Sequence, residues 1–213
     1  MKRVRILLWI LMLLPLVATV AALFFLPDRI PAHYGFDGTV DRWGSKYETL
    51  VFPVLSIVTG ALLLAMSRVT KKHDPTGKNE IALLWAGVGC GAAFSAMTAY
   101  FLITDFQQVR DLNAVPVALT QILFLVLGVM MIFFAFLLPG TDRNPVIGLR
   151  TKKTMESEEN WDRAQRFVTV SLVIAGVLMV LASIFTRGAV CFWVNMAILI
   201  AVVAADAWYV HKL

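Results

Sequence analysis

"ILLWILMLLPLVATVAALFFL", residues 6–26, runs for five turns of helix without a charged side chain. A helix that crosses the hydrocarbon core of a bilayer needs about 20 mostly apolar residues. The stretch also lacks the alternation of polar and apolar residues that marks a membrane barrel strand, so a helix is the structure that satisfies its backbone in lipid. Five more runs of this kind follow: Leu50 to Met66, Ile81 to Ile103, Val117 to Leu138, Val168 to Phe185 and Ala189 to Val210. Across its 213 residues the chain is 59% hydrophobic and 15% charged, against about 25% charged in soluble domains. The fold class that follows is all-α, a polytopic transmembrane bundle of six spans. An N-terminal two-span region, residues 1–80, carries an outer loop over 27–48. A four-span region, 81–213, carries a polar loop over 139–167.

The basic start "MKRVR" and the small residues Ala18 to Ala22 resemble a secretion signal. A signal has an apolar core of about 7 to 15 residues, and this run is longer, so it is expected to stay as a membrane helix. Loop charge then sets the orientation, because Lys and Arg are retained on the cytoplasmic side of short loops. With the N-terminus inside, fourteen of the nineteen basic residues fall in the cytoplasm, including Arg68, Lys71, Lys72, Lys78 and the six between Arg143 and Arg166. Arg29, Arg42, Lys46, Arg110 and Arg187 fall outside. Both termini are therefore expected in the cytoplasm. The net charge of +5 reflects topology and anionic lipid, and direct nucleic-acid binding is not expected, because the bases sit in separate loops.

Gly87, Gly91, Ser95 and Ala99 recur every fourth residue in the third run, and Ala197, Ala201 and Ala205 do so in the sixth. Small residues at this spacing let helix backbones approach in lipid, so these ridges are expected to form one contact, within the chain or between copies. Gln121 and Asn195 are expected to hydrogen-bond between helices. Asp206 is the one acid inside the runs; it lies beside Trp208 and Tyr209, which suits interfacial placement, with a proton or ion role as the alternative. Cys90 and Cys191 are expected to be free, small packing residues.

In the outer loop, Asp37-Gly38 lies between Ile30, Ala32, Tyr34 and Val40, Arg42 as a hairpin turn would. Trp43 and Tyr34 are expected among lipid headgroups, and Lys46 as an anchor for the next helix. His33, Asp37 and Asp41 carry ligand atoms, but their spacing aligns them only on a helix, which the prolines and glycines oppose. No metal and no cofactor is expected.

The polar loop reads "NPVIGLRTKKTMESEENWDRAQRF" from Asn144 to Phe167. Asn144-Pro145 and Gly148 break the helix, Ser157 is expected to cap the next one, and Glu158 and Glu159 suit its positive end. Glu159 with Arg163 and Asp162 with Arg166 are spaced to pair across one turn. Trp161 and Phe167 are expected at the membrane interface, with Arg150, Lys152 and Lys153 on headgroups.

Asn144, Ile147, Gly148, Arg150, Thr151, Thr154 and Trp161, with Pro145 among them, make this segment resemble the signature of the SdpI family of bacterial immunity proteins. That signature is an N-x-x-I-G-x-R-T element, then a Thr and, past an acidic stretch, a Trp. Lys152-Lys153 stand where many relatives have Pro-Trp, so a partner-binding surface there has changed. The outer loop resembles a domain of unknown function often found before it, with an I-P-x-H element at Ile30, Pro31 and His33, then Gly38, Asp41 and Lys46. The resemblance implies a multi-pass protein of the bacterial cell membrane that protects its cell from a secreted toxic peptide. In the founding case it also implies a receptor that draws a transcriptional repressor to the membrane. A small transporter or channel built on Asp206, Gln121 and Asn195 is the competing reading. No catalytic residue is assigned, since none of His33, His73 and His211 lies in a run and no nucleophile with a base and an orienting group emerges from spacing.

Overall fold

The computed structural model describes residues 1–35, 37–71 and 76–213; Lys72 and His73 lie outside these. The elements in chain order are α1 (Lys2–Leu23), β1 (Arg29–Tyr34), β2 (Val40–Ser45), a 3-10 turn (Lys46–Leu50), α2 (Val51–Lys71), α3 (Lys78–Phe106), α4 (Leu119–Ala135), α5 (Glu158–Phe185) and α6 (Gly188–Lys212). Among the described residues five helices are long and apolar enough to cross a membrane. α4 is shorter, at 17 residues, or about 26 Å at 1.5 Å per residue. Its apolar run continues as tight turns, with Leu137 N donating to Phe134 O at 3.0 Å and Thr141 N to Leu138 O at 3.1 Å. The molecule is a multi-pass helical membrane bundle.

Burial is inverted relative to a soluble protein. Ile10, Val17, Val58, Leu62, Ile174 and Val203 are each about half or more exposed, which is the surface that lipid covers rather than water. Inside, Leu8, Leu64, Leu84 and Val88 join α1, α2 and α3. A second cluster of Phe124, Met131, Ala175, Met179, Cys191 and Val202 joins α4, α5 and α6. α3 packs more extensively on α1 and α2 than on α4.

The expected contact between the third and sixth runs does not form. A Cβ on Gly87 would lie 2.9 Å from Leu8 and one on Gly91 3.0 Å from Leu11, so this ridge receives α1. Ala197 and Ala201 face outward. α4 and α5 approach closely at a glycine pair, where a Cβ on Gly176 would come 2.6 Å from the carbonyl oxygen of Gly128. A single facing glycine pair suffices there, because what the crossing needs is absence of side chain at one point rather than a repeated ridge.

Several polar side chains inside the bundle link helices. Gln121 Nε2 donates to Ser183 O at 3.0 Å, and Gln121 Oε1 accepts from Ala118 N at the start of α4. Asn195 Nδ2 donates to Cys191 O at 2.8 Å and reaches Ser183 Oγ at 3.5 Å. Asp206 accepts from Ser171 Oγ at 2.6 Å across α5 and α6. Cys90 and Cys191 are free.

The helices alternate in direction, so the loops sort to two ends. The hairpin, the connection between α3 and α4, and Arg187 share one end, tied by Val40 N to Arg110 O at 2.9 Å and by Arg187 Nε to Gln121 Oε1 at 3.1 Å. The opposite end holds the loop between α4 and α5 and both chain termini, where Arg5 pairs with Glu80, Lys78 with Asp142, and Lys153 Nζ reaches His211 O.

Candidate functional site

At the terminal end, residues 141–165 fold into a closed unit whose polar groups satisfy one another. Asn144 is 5% exposed. Its Oδ1 accepts the amides of Val146 and Ile147, both at 2.8 Å, and its Nδ2 donates to Asp142 O at 2.7 Å, Ile147 O at 3.2 Å and Asn79 Oδ1 at 3.3 Å. This one amide side chain therefore sets the turn over Pro145 and fastens it to the start of α3. Asn is suited because it offers both a double acceptor and a double donor. Gly148 follows at φ +108°, a backbone that side-chain-bearing residues rarely adopt. A Cβ there would come 2.8 Å from Gln165 Oε1 and 2.9 Å from the ring of Trp161.

Trp161 is 1% exposed and donates Nε1–H to Thr141 O at 3.1 Å. It is the centre of the unit rather than an interfacial belt residue. The expectation fails because a carbonyl partner lets the indole bury completely, and a residue inside protein gains nothing from headgroups. Gln165, one turn on, accepts from Leu149 N at 3.0 Å and donates to Leu149 O at 3.1 Å. Thr154, fully buried, accepts from Thr151 N at 2.8 Å and donates to Leu149 O at 3.0 Å; Thr151 Oγ1 accepts from Thr154 N at 3.2 Å. Arg143 binds Met155 O at 2.7 Å and Glu158 at 3.0 Å. Ser157 caps α5, accepting from Asn160 N at 3.1 Å. Glu159 and Arg163 approach at 3.7 Å, whereas Asp162 and Arg166, both exposed, form no ion pair among the described residues. Phe167 stacks on Tyr209 of α6 at 3.9 Å between centroids. The Thr76 hydroxyl and Lys78 hold the Asp142 carboxylate below its usual range.

The surface of this unit carries charges of both signs, with Glu156, Glu158 and Glu159 exposed as well as basic side chains. Arg150 and Lys152 are exposed, and the guanidinium of Arg150 rests on the carbonyl of Pro145. Sequence reading missed Gln165, Thr141, Arg143 and Asn79. Only Gln165 carried a signal, being a polar residue four after Trp161 and so on the same helix face.

At the other end, β1 and β2 pair antiparallel, with Pro31 opposite Trp43 and Tyr34 opposite Val40. Gly38 takes φ +85°, and Asp37 Oδ1 accepts from Thr39 N at 3.0 Å. The Thr39 amide and hydroxyl hold the exposed Asp37 carboxylate below its usual range. His33 Nδ1 meets Asp41 Oδ1 at 2.6 Å, and Lys46 binds Asp28 at 2.9 Å. Arg42 binds Glu48 through both nitrogens, at 2.8 and 3.1 Å. His33 and Asp41 thus engage each other while Asp37 engages Thr39, and no metal-binding group of three such residues appears among the described residues.

The hairpin does not lie alone on the membrane. Tyr34 donates to Val109 O at 2.9 Å, Asn113 Nδ2 to Asp37 O at 2.6 Å and Leu112 N to Gly38 O at 2.9 Å. Arg110 lies over the Trp43 ring at 5.8 Å. Tyr34 therefore packs against protein instead of headgroups, since the connection before α4 supplies a carbonyl for its hydroxyl. Burial first, then the nearby Asp105 carboxylate, push the Tyr34 phenol up to about 12. Between the hairpin, Leu112, Asn113 and the start of α6 opens a cleft of about 780 Å³.

No curated protein and no solved structure was found to match the chain. Two family models do. Residues 10–57, spanning α1 and the hairpin into α2, match the domain of unknown function DUF1648. Residues 141–208, from the anchor of Trp161 through α5 and α6, match the SdpI/YfhL protein family, so over about a third of its length, the closed unit included, this multi-pass membrane chain is similar to that family.

Proposed function

We propose that this chain is an immunity protein of the bacterial cell membrane that protects its cell from a secreted toxic peptide, with both termini and the 139–167 loop in the cytoplasm. Support for the orientation is the excess of Lys and Arg in the loops at the terminal end. The cleft beside the hairpin is then the part that faces a secreted peptide, and the 141–165 unit is the part that faces a cytoplasmic partner, a repressor protein held at the membrane. The observation that carries this reading is the segment similar to the SdpI family, whose motif residues are consumed inside one unit while Arg150 and Lys152 are left on its surface.

The test is survival of cells exposed to candidate toxic peptides with and without the chain. Protection is expected, and Arg150→Ala is expected to abolish protection or repressor recruitment while membrane abundance stays constant. Equal killing with and without the chain removes the immunity claim; full function of Arg150→Ala removes the signalling surface. Sidedness is tested separately with Lys152→Cys, which an impermeant thiol reagent should reach only in opened cells.

A further inference from the structure

We propose that a cavity between the hairpin, α2 and α3 binds one organic ammonium group carried on a short apolar stem. The cavity measures about 220 Å³ and is walled by Ile30, Phe52, Phe101 and Leu102. A cavity of about 150 Å³ accommodates benzene, so this one has room for a single side chain or small amine.

Its polar groups define the charge of the guest. Three charged residues line it: Arg42, Glu48 and Asp105. Arg42 and Glu48 neutralise each other through two hydrogen bonds. Tyr34, also in the wall, spends its proton on Val109 O. Asp105 is 2% exposed, and no hydrogen bond or ion pair reaches its carboxylate among the described residues. Thr98, two turns earlier on the same face of α3, is 3% exposed, and its hydroxyl has no partner. A buried carboxylate, with a buried unpartnered hydroxyl two turns away along the same wall, costs free energy until something binds it. A cation with N–H donors removes the larger part of that cost: its charge and its donors answer Asp105, and its stem lies on the aromatic wall towards Thr98. An anion meets the Asp105 charge instead, and a neutral alcohol leaves that charge unanswered. The site is distinct from the cleft beside the hairpin and does not rest on the immunity reading.

The experiment uses the purified full chain in phosphatidylcholine nanodiscs, with n-butylammonium as probe and n-butanol as its neutral counterpart, followed by ligand-observed NMR. Butylammonium is expected to bind at least tenfold more tightly than butanol, and Asp105→Asn is expected to erase that preference. Leu102→Phe, which narrows the same cavity if Asp105→Asn fails to fold, is expected to weaken the amine severalfold, and unaltered amine binding there overturns the proposal. Equal binding of amine and alcohol to the unaltered chain overturns the proposal, as does a preference that survives Asp105→Asn. Repeating the titration in phosphatidylethanolamine discs identifies the natural source of the ammonium: competition assigns it to a lipid headgroup, and unaltered binding assigns it to a soluble or peptide amine.

Discussion

Replacing Gly148 with Ala asks two independent things of the 141–165 unit. The backbone must hold φ +108° with a Cβ present, a strain of about 1–3 kcal/mol. The methyl must also fit where Gln165 Oε1 and the Trp161 ring stand 2.8 and 2.9 Å away, and overfilling a packed site costs about 1–3 kcal/mol more. Neither neighbour yields easily, since Trp161 is pinned to Thr141 O and Gln165 grips both sides of the Leu149 peptide. A combined cost of about 3 kcal/mol raises the open population of the unit by about two powers of ten. Hydrogen exchange reads this directly at Val146, Ile147 and Leu149, whose amides are held by Asn144 and Gln165 side chains alone. Their exchange in micelles should accelerate about a hundredfold. Gly140→Ala is the control, because its Cβ meets nothing nearer than Leu137 O at 3.9 Å, and exchange should not change. A Gly148→Ala protein whose three amides exchange within about threefold of the unaltered chain refutes the reasoning.

Other expectations follow from the same geometry. Arg5→Met removes the guanidinium from Glu80, which is 1% exposed. Stability should fall by about 1–3 kcal/mol, because Arg5 is itself partly exposed and Glu80 keeps a further contact, measured by denaturation in mixed micelles. Lys78→Met breaks the exposed pair with Asp142 and should cost less than about 1 kcal/mol in the same assay. Gln165→Leu strips both hydrogen bonds from the Leu149 peptide, a loss of about 1–3 kcal/mol that should appear as faster exchange at Leu149 while the end of α5 at Phe185 stays unchanged. The Tyr34 phenol is raised to about 12, so its contribution is present below its ordinary value of 10 and lost as pH rises through 12. An ultraviolet phenolate titration should show this late-titrating group, and Tyr34→Phe should remove it.

The six helices were legible because each apolar run is longer than any soluble core requires, and the hairpin because Asp37-Gly38 interrupts an alternating pattern. The ends of α3 were less legible. Hydropathy placed the third run between Ile81 and Ile103, so Glu80 and Asp105 fell outside it, yet both are buried in α3. A window that averages hydropathy stops at a charge, whereas a helix continues past one when protein rather than lipid surrounds it. Helix partners were least legible. Gly87 and Gly91 signalled a close approach correctly, but spacing within one helix carries no information about which other helix arrives, and α1 arrived with Leu8 and Leu11. Tyr34 illustrates the same gap. Its aromatic ring with a polar tip suits a headgroup as well as a carbonyl, and only the fold brings Val109 O within 2.9 Å.

The motif that marks the family divides by what its residues touch. Asn144, Gly148, Thr151, Thr154 and Trp161 bond or pack within the unit, and each has a structural use that accounts for its chemistry without any partner. Loss of function on changing one of them reports a collapsed loop as readily as a lost contact. Arg150 differs, since its exposed guanidinium makes, among the described residues, one hydrogen bond, to the carbonyl of Pro145. Lys152 shares that exposure. An Arg150→Ala, Lys152→Ala double variant should therefore keep the exchange protection of Val146, Ile147 and Leu149 while losing whatever the unit recognises. If protection of those amides falls together with function, Arg150 belongs with the builders of the loop, and the recognition surface lies elsewhere.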